Sequence, residues 1–217
     1  MSTEIQEILA ALGVPSAPKS SIDAAEWRER HDREAAEEFA KARAAITTER
    51  RDRDLRTLSE WAPEATRMAL RDPKRTQAVE VASRWLRGSQ PILVLCGPPG
   101  CGKTVAACWA AAEAATGEAT RVRCAELIGL SMRDPSAYTF PAFVVMDDWR
   151  PRKTNGDHFA EAWFDFVDAR IGKGRAIVTT NYTRAEFLDA QEPHTLSRLR
   201  GHAAVAGVTG EDMRGQP

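Results

Sequence analysis

The sequence predicts an α/β protein, a parallel sheet flanked by helices and preceded by a charged helical arm. Two observations predict the sheet. The apolar run Pro91 to Cys96 breaks into a glycine-rich loop, and an Ala-rich stretch without glycine or proline follows from Lys103 to Thr116. Two further apolar runs, "PAFVVMDDW" and "RAIVTTN", stand apart from each other and from the first, with helical spacing between them. Short continuous apolar runs suit strands buried on both faces. Their alternation with helices implies parallel strands covered on both sides, with ligands at the carboxyl ends of the strands. The third observation predicts the arm: from Ile22 to about Leu58 the chain is rich in Ala, Glu and Arg and lacks glycine and proline.

Composition bounds the reading. The chain has 217 residues, 43% hydrophobic and 28% charged, with a formal net charge of −1. That is room for one ordinary domain and an appendage, with no global attraction to polyanions. The opening "MSTEIQEILAALGVP" has acids where a secretory leader needs a basic region, and no stretch approaches the length of a membrane span. A cytoplasmic protein is expected. The cysteines Cys96, Cys101, Cys108 and Cys124 include no C-x-x-C pair, which argues against zinc and suits a reducing compartment.

In chain order, residues 1 to about 20 read as a short helix and a "GVPSAPKSS" hinge. The long arm helix that follows has one narrow apolar stripe, Ala35, Phe39, Ala42 and Ile46. Such a stripe suits a partner-binding arm or short coiled coil; a solvated arm is the alternative. Pro63 and Pro73 punctuate the passage to the main domain, so the boundary is drawn near residue 64, giving segments 1–63 and 64–217. Gln77 to Arg87 then gathers Ala78, Val81, Ala82, Trp85 and Leu86 on one helical face. After the glycine-rich loop and its helix come a weak strand, "TRVRC", and a helix from Ala125 to Met132. The second apolar run leads to the amphipathic "HFAEAWFDFVDAR", and the third to a capping box, Thr183 to Glu186, that opens another helix. A last helix is expected from His194 to Arg200.

The loop carries the chemistry. Gly97-Pro98-Pro99-Gly100-Cys101-Gly102-Lys103-Thr104 fits G-x-x-x-x-G-K-[ST] at every fixed position, between a strand and a helix as the pattern requires. Its glycines allow backbone N–H groups to turn inward on phosphate oxygens, and the helix adds the positive end of its dipole. Lys103 is expected to neutralise the β- and γ-phosphates of ATP, and the Thr104 hydroxyl to ligate Mg²⁺. Asp147 and Asp148 end the second apolar run about forty residues later; Asp147 would hold Mg²⁺ and Asp148 would orient the attacking water. Asn181, at the end of the third run, would reach the γ-phosphate and that water. The loop "WRPRKTNGD" clusters Arg150, Arg152 and Lys153, a candidate contact for single-stranded DNA, with a solvated loop as the alternative.

In that order, GPPGCGKT, VVMDD, IVTTN and the late TLSRLRG resemble the AAA+ ATPases, and more narrowly the DnaC-type replicative helicase loaders and the related IstB-type transposition helpers. The resemblance covers about residues 76 to 217. It implies an ATPase in which Lys103 and Thr104 bind nucleotide and Mg²⁺, Asp147 and Asp148 are the second-motif acids, Asn181 is the sensor and Arg198 the arginine finger. It also implies a hexameric helicase gripped by the N-terminal arm, single-stranded DNA, and self-association that brings Arg198 to a neighbour's nucleotide. Arg170 is a second candidate finger; pairing with a surface acid is the alternative. Two departures stand out. Most AAA+ proteins have Glu where this chain has Asp148, shorter by about 1.5 Å, one C–C bond, which suggests slow hydrolysis or an ATP-bound scaffold. The helical lid domain is also expected to be largely absent. A small-molecule kinase, the rival of another class, would have little use for Asn181 or for the charged arm.

Overall fold

A computed structural model describes residues 21–60, 62, 64–151 and 156–213. The expected helix and hinge over residues 1–20, together with Arg152 and Lys153, lie outside the described residues. Helix α1 (Ser21–Ser59) forms as its composition dictates. The chain divides into two compact units, residues 1–46 and 47–217.

In the first unit the expected stripe is open to solvent: Phe39 is 72% exposed and Ile46 51%. Arg33 and Glu29 pair one turn apart at 3.2 Å. Such surface pairs contribute only about 0.3–0.5 kcal/mol each.

The second unit begins inside α1. Leu55 and Leu58 are buried in the main core. The buried Asp54 carboxylate accepts from the amides of Gly117 at 3.0 Å and Ala119 at 2.9 Å. Arg51 pairs with Glu113 at 2.7 Å. Packing therefore divides the chain earlier than the prolines near residue 64 suggest. Two leucines and one acid are too few to register as an apolar stripe, yet they hold the last turns of α1 on this unit.

The remaining elements follow in order: α2 (Glu64–Arg71), α3 (Gln77–Leu86), β1 (Ile92–Cys96), α4 (Lys103–Glu113), β2 (Ala119–Arg123), a 3₁₀ turn, α5 (Leu127–Arg133), α6 (Ser136–Thr139), β3 (Phe143–Asp147), α7 (Gly156–Arg170), β4 (Arg175–Thr180), α8 (Arg184–Asp189), α9 (Pro193–His202) and β5 (Ala203–Gly207). Helix α4 stops at Glu113, short of the expected Thr116, because Ala115 and Gly117 turn left-handed. Among the described residues the strands form one parallel sheet in the order β2-β3-β4-β1-β5.

Side chains alternate across that sheet. Leu93, Leu95, Phe143, Val145 and Ile177 face a core shared with α3 and α4. Ile92, Val94, Val144, Met146 and Val178 face the other, with Phe159, Trp163 and Phe166 of α7 and the rings of Trp149 and Phe187. Each such aliphatic side chain contributes roughly 1.5–3 kcal/mol by leaving water. Burial on both faces is why these strands read as unbroken apolar runs.

Two arginines act within this frame. Arg175 lies 3.8 Å over the Trp85 ring and donates to the carbonyls of Trp85 and Leu86 at the end of α3. Arg170 is fully buried and donates to the carbonyls of Thr139 at 2.6 Å and Pro141 at 2.7 Å. Among the described residues no acid pairs with it, and its full burial does not place it to serve as a finger. Backbone carbonyls freed by the turn after α6 take the place of a carboxylate.

Candidate functional site

The glycine-rich loop joins β1 to α4 at the carboxyl edge of the sheet, where β3 and β4 also end. Gly97, Gly100 and Gly102 all have positive φ, at 153°, 85° and 83°. At Gly97 a Cβ would run into the Val208 carbonyl, and at Gly100 into the Asp212 carboxylate. Only glycine allows the loop to lie so close to the chain after β5. Gly102 caps α4 and has no side chain to bond the first-turn amides. Those N–H groups are the donors that an anion at a helix start would take.

Lys103, the first residue of α4, is 6% exposed and folds back on the loop. Its ammonium donates to Gly97 O at 2.9 Å, Pro98 O at 2.6 Å and Asn181 Oδ1 at 3.2 Å. The Cys101 sulfur lies 3.7 Å from the same nitrogen. Asn181 Nδ2 reaches Asp148 Oδ1 at 3.3 Å. Thus one amide links the cation of the loop to the second acid of β3.

Asp147 is more tightly held. Its Oδ1 accepts from Thr104 Oγ1 and Thr179 Oγ1, both at 2.8 Å, and its Oδ2 from Arg121 at 2.5 Å. Burial alone would push this carboxyl's pKa up. The Arg121 hydrogen bond, the Thr179 hydroxyl, the Arg121 charge and the Thr104 hydroxyl outweigh that and hold it below its ordinary value. Asp148 follows in left-handed backbone, φ 58°, with its amide donating to Thr179 Oγ1 at 3.1 Å. Trp149 N bonds Thr179 O at 2.7 Å, and Thr180 Oγ1 bonds Trp149 O at 2.8 Å. The end of β4 thereby fixes the turn that presents both acids. The Asp148 carboxylate also lies 3.4 Å from Arg150, the described cation of the "WRPRKTNGD" loop.

The residues fit a nucleoside triphosphate with Mg²⁺. Uncapped first-turn amides and an ammonium suit phosphate oxygens, and a hydroxyl bonded to a carboxylate is a hard oxygen pair of the type Mg²⁺ takes. The structure gathers Lys103, Thr104, Asp147, Asp148 and Asn181, and it leaves Arg198 apart. On α9, Arg198 is half exposed and pairs with Asp168 of α7 at 3.2 Å.

Sequence reasoning missed Arg121 and Thr179. Arg121 stands opposite Val145 in the β2–β3 register, so Asp147 is the same-face residue one step on. The available signal was a charged residue inside a strand next to one ending in acids. Thr179 looked like ordinary β-branched filling, and only the pairing of β3 with β4 exposes its role.

No protein-family model matches the chain, and no curated protein matches it by sequence. Solved structures do match by fold. The DnaC helicase loader aligns with a TM-score of 0.55 at 16% identity, over 68% of this chain and 100% of that one. DnaI aligns at 0.53 and 17%, over 73% and 100%. A DNA replication initiation factor aligns at 0.51 and 14%, over 64% of this chain and 48% of its own. The chain therefore spans the whole of the DnaC and DnaI chains but about half of the initiation factor. The chain thus shares the fold of the DnaC helicase loader and DnaI structures.

Proposed function

We propose that the chain is an ATP-dependent, Mg²⁺-requiring loader of a replicative hexameric helicase onto single-stranded DNA. The observation that carries the reading is the hydrogen-bonded set at the sheet edge. Lys103, Asn181 and Asp148 form one chain of contacts, and Thr104 with Asp147 forms another. Similarity of fold to a helicase loader adds the direction of the reading.

In this reading Lys103 exchanges its loop carbonyls for phosphate oxygens, and the amides of the first turn of α4 donate to the same chain of phosphates. Thr104 and Asp147 would hold Mg²⁺, which would supply charge neutralisation when bound. Asp148 accepts a hydrogen bond from the attacking water, and Asn181 orients both. Arg198 completes the site of a neighbouring subunit, since a guanidinium can grip two phosphate oxygens across an interface. The segment 1–63 carries the helicase-binding function.

A slowly hydrolysing ATP-bound scaffold is the second reading. It is favoured by Asp148, whose carboxylate is engaged by Asn181 and Arg150 and is shorter than the usual Glu.

The test pairs nucleotide binding with helicase loading. The parent should bind ATP with Mg²⁺ and increase unwinding by its cognate replicative helicase on protein-coated single-stranded DNA. Lys103→Ala should lose both. ATP binding unaffected by that substitution would sink the nucleotide site; normal binding with no effect on any replicative helicase would sink the loading role and leave an IstB-like helper.

A further inference from the structure

Among the described residues two besides glycines have left-handed backbone: Ala115, in the turn after α4, and Asp148, with φ of 48° and 58°. Such backbone is strained for a residue with a Cβ and persists only where its surroundings over-determine it. The Asp148 side chain cannot supply that hold. It is 47% exposed, and its contacts with Arg150 at 3.4 Å and Asn181 at 3.3 Å are long. The next residue can. Trp149 is 1% exposed. Its ring centroid lies 6.2 and 5.7 Å from those of Phe159 and Trp163 on α7, 5.8 Å from Tyr182 and 4.7 Å from Phe187 on α8.

These partners stand on both sides of the site. Tyr182 directly follows Asn181 and meets the indole edge-on, at 89°. The backbone repeats the link: Thr180 Oγ1 donates to the Trp149 carbonyl at 2.8 Å and accepts from the Tyr182 amide at 3.1 Å. One ring and one hydroxyl thus join the turn that carries Asp148 to the turn that carries Asn181. The indole Nε1–H is buried and has no acceptor among the described residues. A buried donor left unpaired costs stability, so what this position uses is the breadth of the ring and its aromatic contacts.

We propose that Trp149 is a positioning residue: its ring, wedged between α7, α8 and Tyr182, holds Asp148 in left-handed backbone and sets its approach to Asn181. Trp149 lies in the core beneath the site and acts through Asp148. The effect on turnover rests on the reading of Asp148 as the residue that orients the attacking water; the effect on the backbone does not.

Two measurements test it. The first needs no nucleotide. Asp148→Gly and Asp148→Ala are compared by urea unfolding, each in the parent and in Trp149→Leu. With the indole in place, left-handed backbone favours glycine, and the Gly variant should have a folding constant about fivefold above that of the Ala variant. Without the indole the turn relaxes, and the two constants should become equal or reverse. A glycine preference that persists undiminished in Trp149→Leu would overturn the proposal, and so would its absence from the parent. If Trp149→Leu does not fold, Trp149→Met carries the same comparison.

The second measurement separates kcat from KM for ATP. Its control is Phe166→Leu, a fully buried ring of the same core whose ring partners among the described residues are Tyr138 and Trp163. Trp149→Leu should keep the parental ATP affinity and KM and lose about 10- to 100-fold in kcat, the cost of a reacting group misplaced by about 1 Å. Trp149→Phe, which restores an aromatic ring, should recover most of that loss, and Phe166→Leu should keep the parental kcat. An equal loss in Phe166→Leu, a KM that rises in step, or parental turnover by Trp149→Leu would overturn the positioning role. A parent that binds ATP without hydrolysing it would sink the reading of Asp148, and the unfolding comparison then decides the proposal by itself.

Discussion

Removing Arg121 tests how the first acid of the site is held. Arg121 and Asp147 are nearly buried, with side chains 10% and 14% exposed, and bond at 2.5 Å. Arg121→Met keeps the stem and removes the charge. Breaking a buried pair by taking one partner costs about 3–5 kcal/mol, because the other charge stays buried and uncompensated. The Thr104 and Thr179 hydroxyls remain on Asp147, so the lower end, about 3 kcal/mol, is expected. For a unit of this size that is a fall in Tm of about 6–12 °C. The pH dependence gives the sign. In the parent, the Asp147 pKa lies below its ordinary value of 3.8, so its contribution is present above that pH and is lost as pH falls through the folded value. Without Arg121, burial dominates and the charged carboxylate destabilises the fold at neutral pH. The gap between parent and variant should therefore be widest at neutral pH and narrow as Asp147 becomes protonated. Urea unfolding at pH 7 and pH 4 measures both values. In an Asp147→Asn background the same Arg121 substitution should cost much less. A loss under about 1 kcal/mol at pH 7, or an equal loss in both backgrounds, would refute the assignment.

Three further outcomes follow from the same contacts. Asp54→Ala leaves the amides of Gly117 and Ala119 without their carboxylate, and at about 1.5–3 kcal/mol per bond to a charged group should destabilise the second unit by about 3–6 kcal/mol; urea unfolding reads this, and a change within about 0.5 kcal/mol, the level of an ordinary surface substitution, would dismiss the anchor. Burial pushes the thiols of Cys96 and Cys108 up to about 12, so the native protein should not be alkylated at either position at pH 8, while the urea-unfolded chain reacts at both, as mass spectrometry would report. Mixing Arg198→Ala with Lys103→Ala, each inactive alone, should restore part of the ATPase rate; parental turnover by Arg198→Ala alone would exclude a finger acting between subunits.

Some of this molecule was decided by sequence-local physics. The strands β1, β3 and β4 are buried on both faces, so apolar character alone marked them, and a loop with glycines at fixed intervals between a strand and a helix marked a tight turn at the sheet edge. Lys103, Thr104, Asp147, Asp148 and Asn181 were legible because each sits at the end of such a strand or the start of the helix behind it. Tertiary packing decided the rest. Arg121 acquires its partner only when β2 pairs with β3, and Thr179 fixes the acids only because β4 lies beside β3. Arg170 looked like a charge in need of an acid, and it found carbonyls because the turn after α6 folds onto α7. Periodicity and spacing encode what a residue does within its own element. Which charges meet between elements depends on register and crossing, and these are fixed only by burial of the whole core.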